Sequence, residues 1–308
     1  MPRGAVNALK RLTFALFLLL ERIGIHVLPV HYYTPVADRR WLRRNPALWR
    51  APLSLPGVAL DLDEQLRWLE HTCSAHYDEV EGLGRFRALA ATPLGQGYGP
   101  IESQVLHCFI RSQAPPLVVE IGSGLSTAAI LEAGELNAAE GRRAPHVVAV
   151  EPFPHPGLEQ LQGIELIRDY GQSVPPDVFD RLQAGDLLFI DSTHGVKTGS
   201  EVLRLYLEIV PRLPAGVVVH IHDVFLPYAY PRSVLSSYFD WQESSFVAAL
   251  LTHSSQLAVL CCQSALHYAR PGELRRILPD YRPRSNDDGL DAAGEDGDFP
   301  SSLWLQTR

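Results

Sequence analysis

The stretch Leu117-Val118-Val119-Glu120-Ile121-Gly122-Ser123-Gly124-Leu125-Ser126-Thr127 decides how the rest of the chain is read. Its first four residues are a short apolar run closed by an acid, which predicts a buried strand. Two glycines one position apart follow, and then a helix expected over Thr127–Leu136. Strand, glycine-rich turn and helix in that order open a βαβ unit. Its glycines let the backbone come close to a ligand, and the free N–H groups of the helix start face that ligand. The alternation continues downstream. Strands are expected at His146–Glu151, Glu165–Ile167, Asp186–Asp191 and Gly216–His222, and helices near Gly157–Gln162, Val178–Gln183 and Gly199–Val210. This pattern predicts a doubly wound, mainly parallel α/β sheet covered on both faces, with Gln256–Cys262 and Ser302–Leu305 as closing strands.

Upstream the character changes. Residues 1–95 read as a helical, loop-rich cap or oligomerisation region, punctuated by Pro29, Pro35, Pro46, Pro52 and Pro56, and residues 96–308 as the sheet domain. Helices are expected at Asp61–His76 and at Ile101–Arg111. A chain of 308 residues, 46% hydrophobic and 20% charged, has the apolar material for one large domain with such an extension. The net charge of −8 is uneven: residues 1–50 carry +7, so the remainder carries −15. An acidic chain without a second basic stripe argues against a nucleic-acid partner. The apolar run Leu12–Leu20 is too short to span a bilayer, and Glu21-Arg22 follows it where a leader would have a cleavage site. Residues 1–22 therefore read as a helix that docks on the domain or on a second copy in a homo-oligomer, or as a peripheral membrane contact. Cys73, Cys108, Cys261 and Cys262 show no ligand or disulfide spacing, which suits a cytoplasmic protein. Asn286–Asp298, with six acids, reads as a mobile surface loop.

The glycine turn is half of a cofactor site. A second strand ends in Glu151, where an acid can accept hydrogen bonds from both hydroxyls of a ribose, the arrangement of Rossmann-like folds that bind adenosine cofactors. A pyrophosphate fingerprint would have a third glycine where Thr127 stands, and no acid ahead of the first. Glu120 in that position suits a cofactor whose amino-acid end carries an ammonium group. Strand ends expected to face the substrate supply Asp191, Thr193, His194 and Lys197 on one side, and His220, His222 and Asp223 on the other. Two readings of this cluster stand. Asp191, His222 and Asp223 bind Mg²⁺ or another divalent ion while His194 removes a proton, or His194 or His222 acts alone as a neutral general base. The aromatic residues Trp41, Trp49, Trp68 and those of Phe225–Tyr230 read as packing or as the lining of an acceptor pocket.

The strings VVEIGSGLSTAAIL, VVAVEPFP, GDLLFIDSTHGVKTGSEV and GVVVHIHDVFLPYAYP resemble the successive motifs of a bacterial group of class I S-adenosylmethionine-dependent methyltransferases, common among natural-product and glycan genes. The likeness covers residues 98–270, and HVLPVHYYTPVAD and the late SLWL are similar to the group's flanking segments. It implies S-adenosylmethionine as cofactor, with Glu120, Gly122, Ser123, Gly124, Ser126, Thr127, Glu151 and Asp191 around it. Asp169 and Gln172 are the candidates for the adenine. The Asp191, His222 and Asp223 trio resembles the three-carboxylate metal site of sugar O-methyltransferases, with His222 in place of one carboxylate. The resemblance implies methylation of a small-molecule or glycan hydroxyl. A metal-dependent hydroxylase on the same fold and a non-catalytic cofactor-binding module are the alternatives.

Overall fold

The aliphatic runs form five short parallel strands: β1 (Leu117–Ile121), β2 (His146–Val150), β3 (Ile164–Ile167), β4 (Leu187–Ile190) and β5 (Val218–Ile221). In β1, β4 and β5 every residue is buried, so these strands read as continuous apolar runs, whereas β3, at the edge, is only partly covered. Two later strands, β6 (Leu257–Cys262) and β7 (Leu303–Thr307), complete a seven-stranded sheet of order β3-β2-β1-β4-β5-β7-β6. β7 runs antiparallel to both of its neighbours. The computed structural model describes residues 3–34, 36–94, 97–236, 239–283, 285–286, 289–290 and 299–308. Most of the expected loop Asn286–Asp298 lies outside them.

Strand alternation divides the core. Val119, Ile121, Leu188, Ile190, Val219 and Ile221 face one layer, which includes Phe179, Leu205 and Val247. Val118, Leu187, Phe189, Val218 and Trp304 face the other, packed on the helices Leu62–Cys73, Pro100–Gln113 and Leu125–Ala139. Trp68 belongs to this second layer, its ring 5.6 Å from that of Trp304. All four cysteines are buried and unpaired, Cys261 and Cys262 within β6.

The helix expected over Gly199–Val210 is interrupted: Glu201–Arg204 is α-helical and Leu205–Ile209 is a π turn. The helices Glu243–Leu251, Gln263–Ala269 and Pro271–Ile277 had no expectation in the sequence.

The chain divides into two units, Met1–Trp49 and Arg50–Arg308, so the division comes earlier than the expected 95/96. Hydrogen bonds explain why residues 50–95 belong with the sheet. Asp61 caps the helix Leu62–Cys73 by accepting from the N–H groups of Asp63 and Glu64, and Gln65 on that helix accepts from the N–H of Cys262 in β6. Glu79 accepts from Arg111 (2.8 Å) and His107 (2.7 Å) on the helix Pro100–Gln113. Arg111 is nearly fully buried and also reaches Asn137 and Glu140 at the end of the helix Leu125–Ala139. In the first unit the helix Arg3–Glu21 leaves Leu12, Phe14, Leu16, Leu18 and Leu19 exposed. No helix among the described residues is long and apolar enough to cross a membrane.

Burial alone would raise the Glu79 carboxyl, but the Arg111 guanidinium and the His107 and His76 rings outweigh it and hold it at about 2. A carboxyl depressed on folding stabilises the protein above its unfolded value of 4.5, and that stability is lost as the pH falls from there towards about 2. Denaturant melts of Glu79→Gln should show a loss of roughly 1–2 kcal/mol at pH 7, allowing for solvent screening, and a gap from the parent that narrows steadily as the pH falls below 4.5 towards about 2.

Candidate active site

At the end of β1 the backbone turns through Gly122, whose φ is +82°. A Cβ there would stand 1.6 Å from the carbonyl oxygen of Asp191, so only glycine lets this turn lie against the end of β4. Gly124 faces the carbonyl oxygen of Leu94, which a Cβ would approach to 2.9 Å. Thr127 lies in the first turn of the next helix: its Oγ1 accepts from the Gly124 N–H (3.0 Å) and donates to Glu120 (2.5 Å). Ser126 Oγ donates to the other Glu120 oxygen (2.6 Å). Burial pushes the Glu120 carboxyl up to about 7 against these two hydroxyls, which favour its charged form.

Glu151, just beyond β2, accepts from the N–H groups of Phe153 (2.9 Å) and Ser123 (3.4 Å). Gly122, Ser123, Gly124, Ser126, Glu151 and Asp191 border one open cleft. Glu120 and Thr127, expected to meet the same ligand, are fully buried behind its wall and hold the turn in shape. Asp169 is exposed. Gln172 is half-buried, and its Oε1 has no partner among the described residues.

Asp191 joins this cleft to the second group of expected residues. Its Oδ1 lies 3.1 Å from His222 Nδ1 and 3.4 Å from His194 Nε2. Asp223 Oδ2 lies 3.7 Å and 3.6 Å from the same two nitrogens. Asp191, His194 and His222 are grouped closely enough to hold a metal ion. His194 and Asp223 both have left-handed backbone, φ +57° and +56°, a strain that the surrounding packing must maintain. His220 stands apart: it stacks on Phe189 at 4.2 Å and bonds Ser302, as a core residue. Lys197 is exposed, and Thr193 donates to Glu201.

The far side of each ring meets an acid that the sequence did not flag. His194 Nδ1 is 2.7 Å from Glu243, which also accepts from the Tyr206 hydroxyl (2.6 Å) carried on the π turn. His222 Nε2 is 3.2 Å from Glu102, whose other oxygen accepts from the Ser301 N–H and the Ser302 hydroxyl. Trp241 packs its ring 4.7 Å from that of His194. Glu102 and Glu243 each lie in the first turn of a helix, where an acid reads as an ordinary partner of the helix dipole. Only their near-complete burial sets them apart.

Burial alone would lower the His194 ring, but Asp191, Glu243 and Asp223 raise it to about 10. His222 is likewise raised against its burial by Asp191, Asp223 and Glu102. Burial works to raise Asp191, yet His222 and His194 hold its carboxyl well below the usual range. Asp223 is raised, burial being the main cause. The surrounding carboxylates thus favour the charged form of both rings.

Residues 119–224 match the family described as a methyltransferase domain. The chain carries a methyltransferase domain. The family match implies S-adenosylmethionine as methyl donor. No curated protein matches the chain. A methyltransferase from Geobacter sulfurreducens is 14% identical, with 89% of this chain and 99% of its own covered, at a TM-score of 0.34. A Thermobifida fusca protein assigned as a methyltransferase is 12% identical, with 85% and 97% covered, at a TM-score of 0.33. Such distant likenesses add nothing to the family match.

The approach of Gly122 to Asp191 gives a direct test of the turn. Gly122→Ala should lower the melting temperature by several degrees and abolish binding of S-adenosylhomocysteine, because the new methyl group and the Asp191 carbonyl cannot share one space. Thermal denaturation with and without that ligand reads both effects.

Proposed function

We propose that this methyltransferase transfers the methyl group of S-adenosylmethionine to an oxygen atom of a small-molecule or sugar acceptor bound at Asp191, His194, His222 and Asp223. One observation carries this reading: Asp191 borders the cofactor cleft and also bonds the ring of His222, so donor and acceptor regions share a residue.

In the reaction the acceptor oxygen attacks the methyl carbon in line from about 3 Å, the bond from carbon to sulfur breaks, and the hydroxyl proton leaves as the ether forms. The Gly122–Gly124 backbone receives the donor's amino-acid end, and Glu151 accepts from its ribose hydroxyls. The linked rings and carboxylates of the cluster orient the acceptor, and a carboxylate among them takes up its proton. Trp241 and Tyr98 stand beside the histidine rings and keep water from them. The divalent ion that the sequence resemblance implies fits this donor set. Asp191, His222 and Asp223, with His194 beside them, would hold it, and when bound it supplies positive charge that lowers the pKa of an acceptor hydroxyl.

Two measurements test the reading. Calorimetry should show Glu151→Ala binding S-adenosylhomocysteine about 10- to 100-fold more weakly, the worth of hydrogen bonds to a charged acceptor; unchanged affinity would remove Glu151 from the site. In a methyl-transfer assay over a panel of sugar and small-molecule alcohols, a protein carrying both His194→Ala and Asp223→Ala should lose at least ~10²-fold in turnover while still binding S-adenosylhomocysteine. Parental turnover in that double variant would contradict the proposal.

A further inference from the structure

We propose that Asp191, His194 and His222, with Asp223 beside them, form a site built for a divalent transition ion such as Zn²⁺, Co²⁺ or Fe²⁺ rather than for Mg²⁺, with Glu102 and Glu243 as the residues that orient its histidines. The inference deepens the reading of this cluster as the acceptor site, and its metal chemistry is measurable without the methyl donor.

The argument begins with the outer nitrogens. Glu243 accepts from the Tyr206 hydroxyl, and Glu102 accepts from a backbone N–H and a serine hydroxyl, so both act as acceptors. The ring nitrogen facing each acid must then be the donor: His194 Nδ1–H to Glu243 and His222 Nε2–H to Glu102. That choice of tautomer turns the lone pairs of His194 Nε2 and His222 Nδ1 inward, where each faces the oxygens of Asp191 and Asp223. A divalent ion bound there would replace the inward ring protons and meet nitrogen lone pairs from both histidines and an oxygen of Asp191 together.

The spacing agrees. His222 Nδ1 and His194 Nε2 lie 3.1 and 3.4 Å from Asp191 Oδ1, and these three ligand atoms are close enough together to share one ion, with Asp223 Oδ2 3.7 and 3.6 Å from the same two nitrogens. Ligands about 2.0–2.2 Å from a shared tetrahedral zinc-like ion stand roughly 3.3–3.6 Å apart. Each histidine is backed by a nearly fully buried carboxylate, the arrangement that aims ligating imidazoles and raises their basicity. The donor types decide the metal class. Imidazole nitrogen favours first-row transition ions, whereas Mg²⁺ takes oxygen ligands and keeps several waters. The pair Asp191 and Asp223 alone would suit Mg²⁺, and the two oriented rings change that preference. Asp223 stands beside the set on the left-handed turn after β5, its Oδ1 held by the Ser301 hydroxyl at 2.9 Å.

The test uses the full-length protein stripped with a chelator and titrated with CoCl₂ and, separately, MgCl₂. Cobalt should give visible ligand-field bands, and calorimetry should show it binding at least ~100-fold more tightly than Mg²⁺. Glu102→Gln and Glu243→Gln should each weaken cobalt by about 10- to 100-fold. Binding of S-adenosylhomocysteine, followed in the same samples, reports that the variants are folded. As a second measurement, Cu²⁺ bound to the parent should show hyperfine splitting from two imidazole nitrogens, and from one in His194→Ala. Mg²⁺ binding as tightly as Co²⁺, a copper signal without nitrogen splitting, or folded glutamine variants with parental cobalt affinity would each overturn the proposal. Failure to bind S-adenosylhomocysteine with cobalt binding intact would contradict the methyl-transfer reading and leave the metal site standing.

Discussion

The close approach of Gly122 to the carbonyl of Asp191 is the constraint on which the rest of this site depends. Because no side chain intervenes, the turn after β1 lies directly against the end of β4, and Asp191 N–H bonds the Ile121 carbonyl at 2.8 Å. The cofactor turn and the histidine cluster are therefore neighbours by backbone packing. A loop with any other residue at 122 would have to lift away from β4 and separate the two halves of the site. Glu120 secures the same turn from below, through hydroxyls placed one and two residues into the helix.

Burying Glu102 and Glu243, and partly covering Asp191 and Asp223, around two imidazoles costs considerable desolvation free energy, and such groups persist only when each is paired. Here every carboxylate meets a ring, and the outer two are anchored further by Tyr206, Ser301 and Ser302. The strain at His194 and Asp223 and the π turn beneath Tyr206 are departures from regular structure that serve this arrangement. A domain selected for stability alone would have filled the space with apolar side chains. Ionisable groups gathered beside a cofactor cleft mark it as a place of chemistry.

Much of this was legible in the chain. The apolar runs of β1, β2, β4 and β5 announced buried parallel strands, and the two glycines, Glu151, Asp191, His194, His222 and Asp223 stood where strands end. What escaped was set by tertiary packing. Glu102 and Glu243 look like ordinary first-turn acids until the helices that carry them are seated on the cluster, and no spacing in the sequence links either to His194 or His222. The division at residue 50 was hidden for a similar reason. Prolines and loops up to residue 95 suggested a separate region, but hydrogen bonds from Gln65 and Glu79 to distant partners draw that segment into the sheet domain.

The most direct test of the account is a crystal structure with S-adenosylhomocysteine bound. The account predicts the ligand's amino-acid end against Gly122 and Gly124, its ribose hydroxyls on Glu151, and its sulfur turned towards Asp191 and the two histidines. A ligand bound outside this cleft, or one whose sulfur points away from the cluster, would contradict the claim that the two halves form one active site.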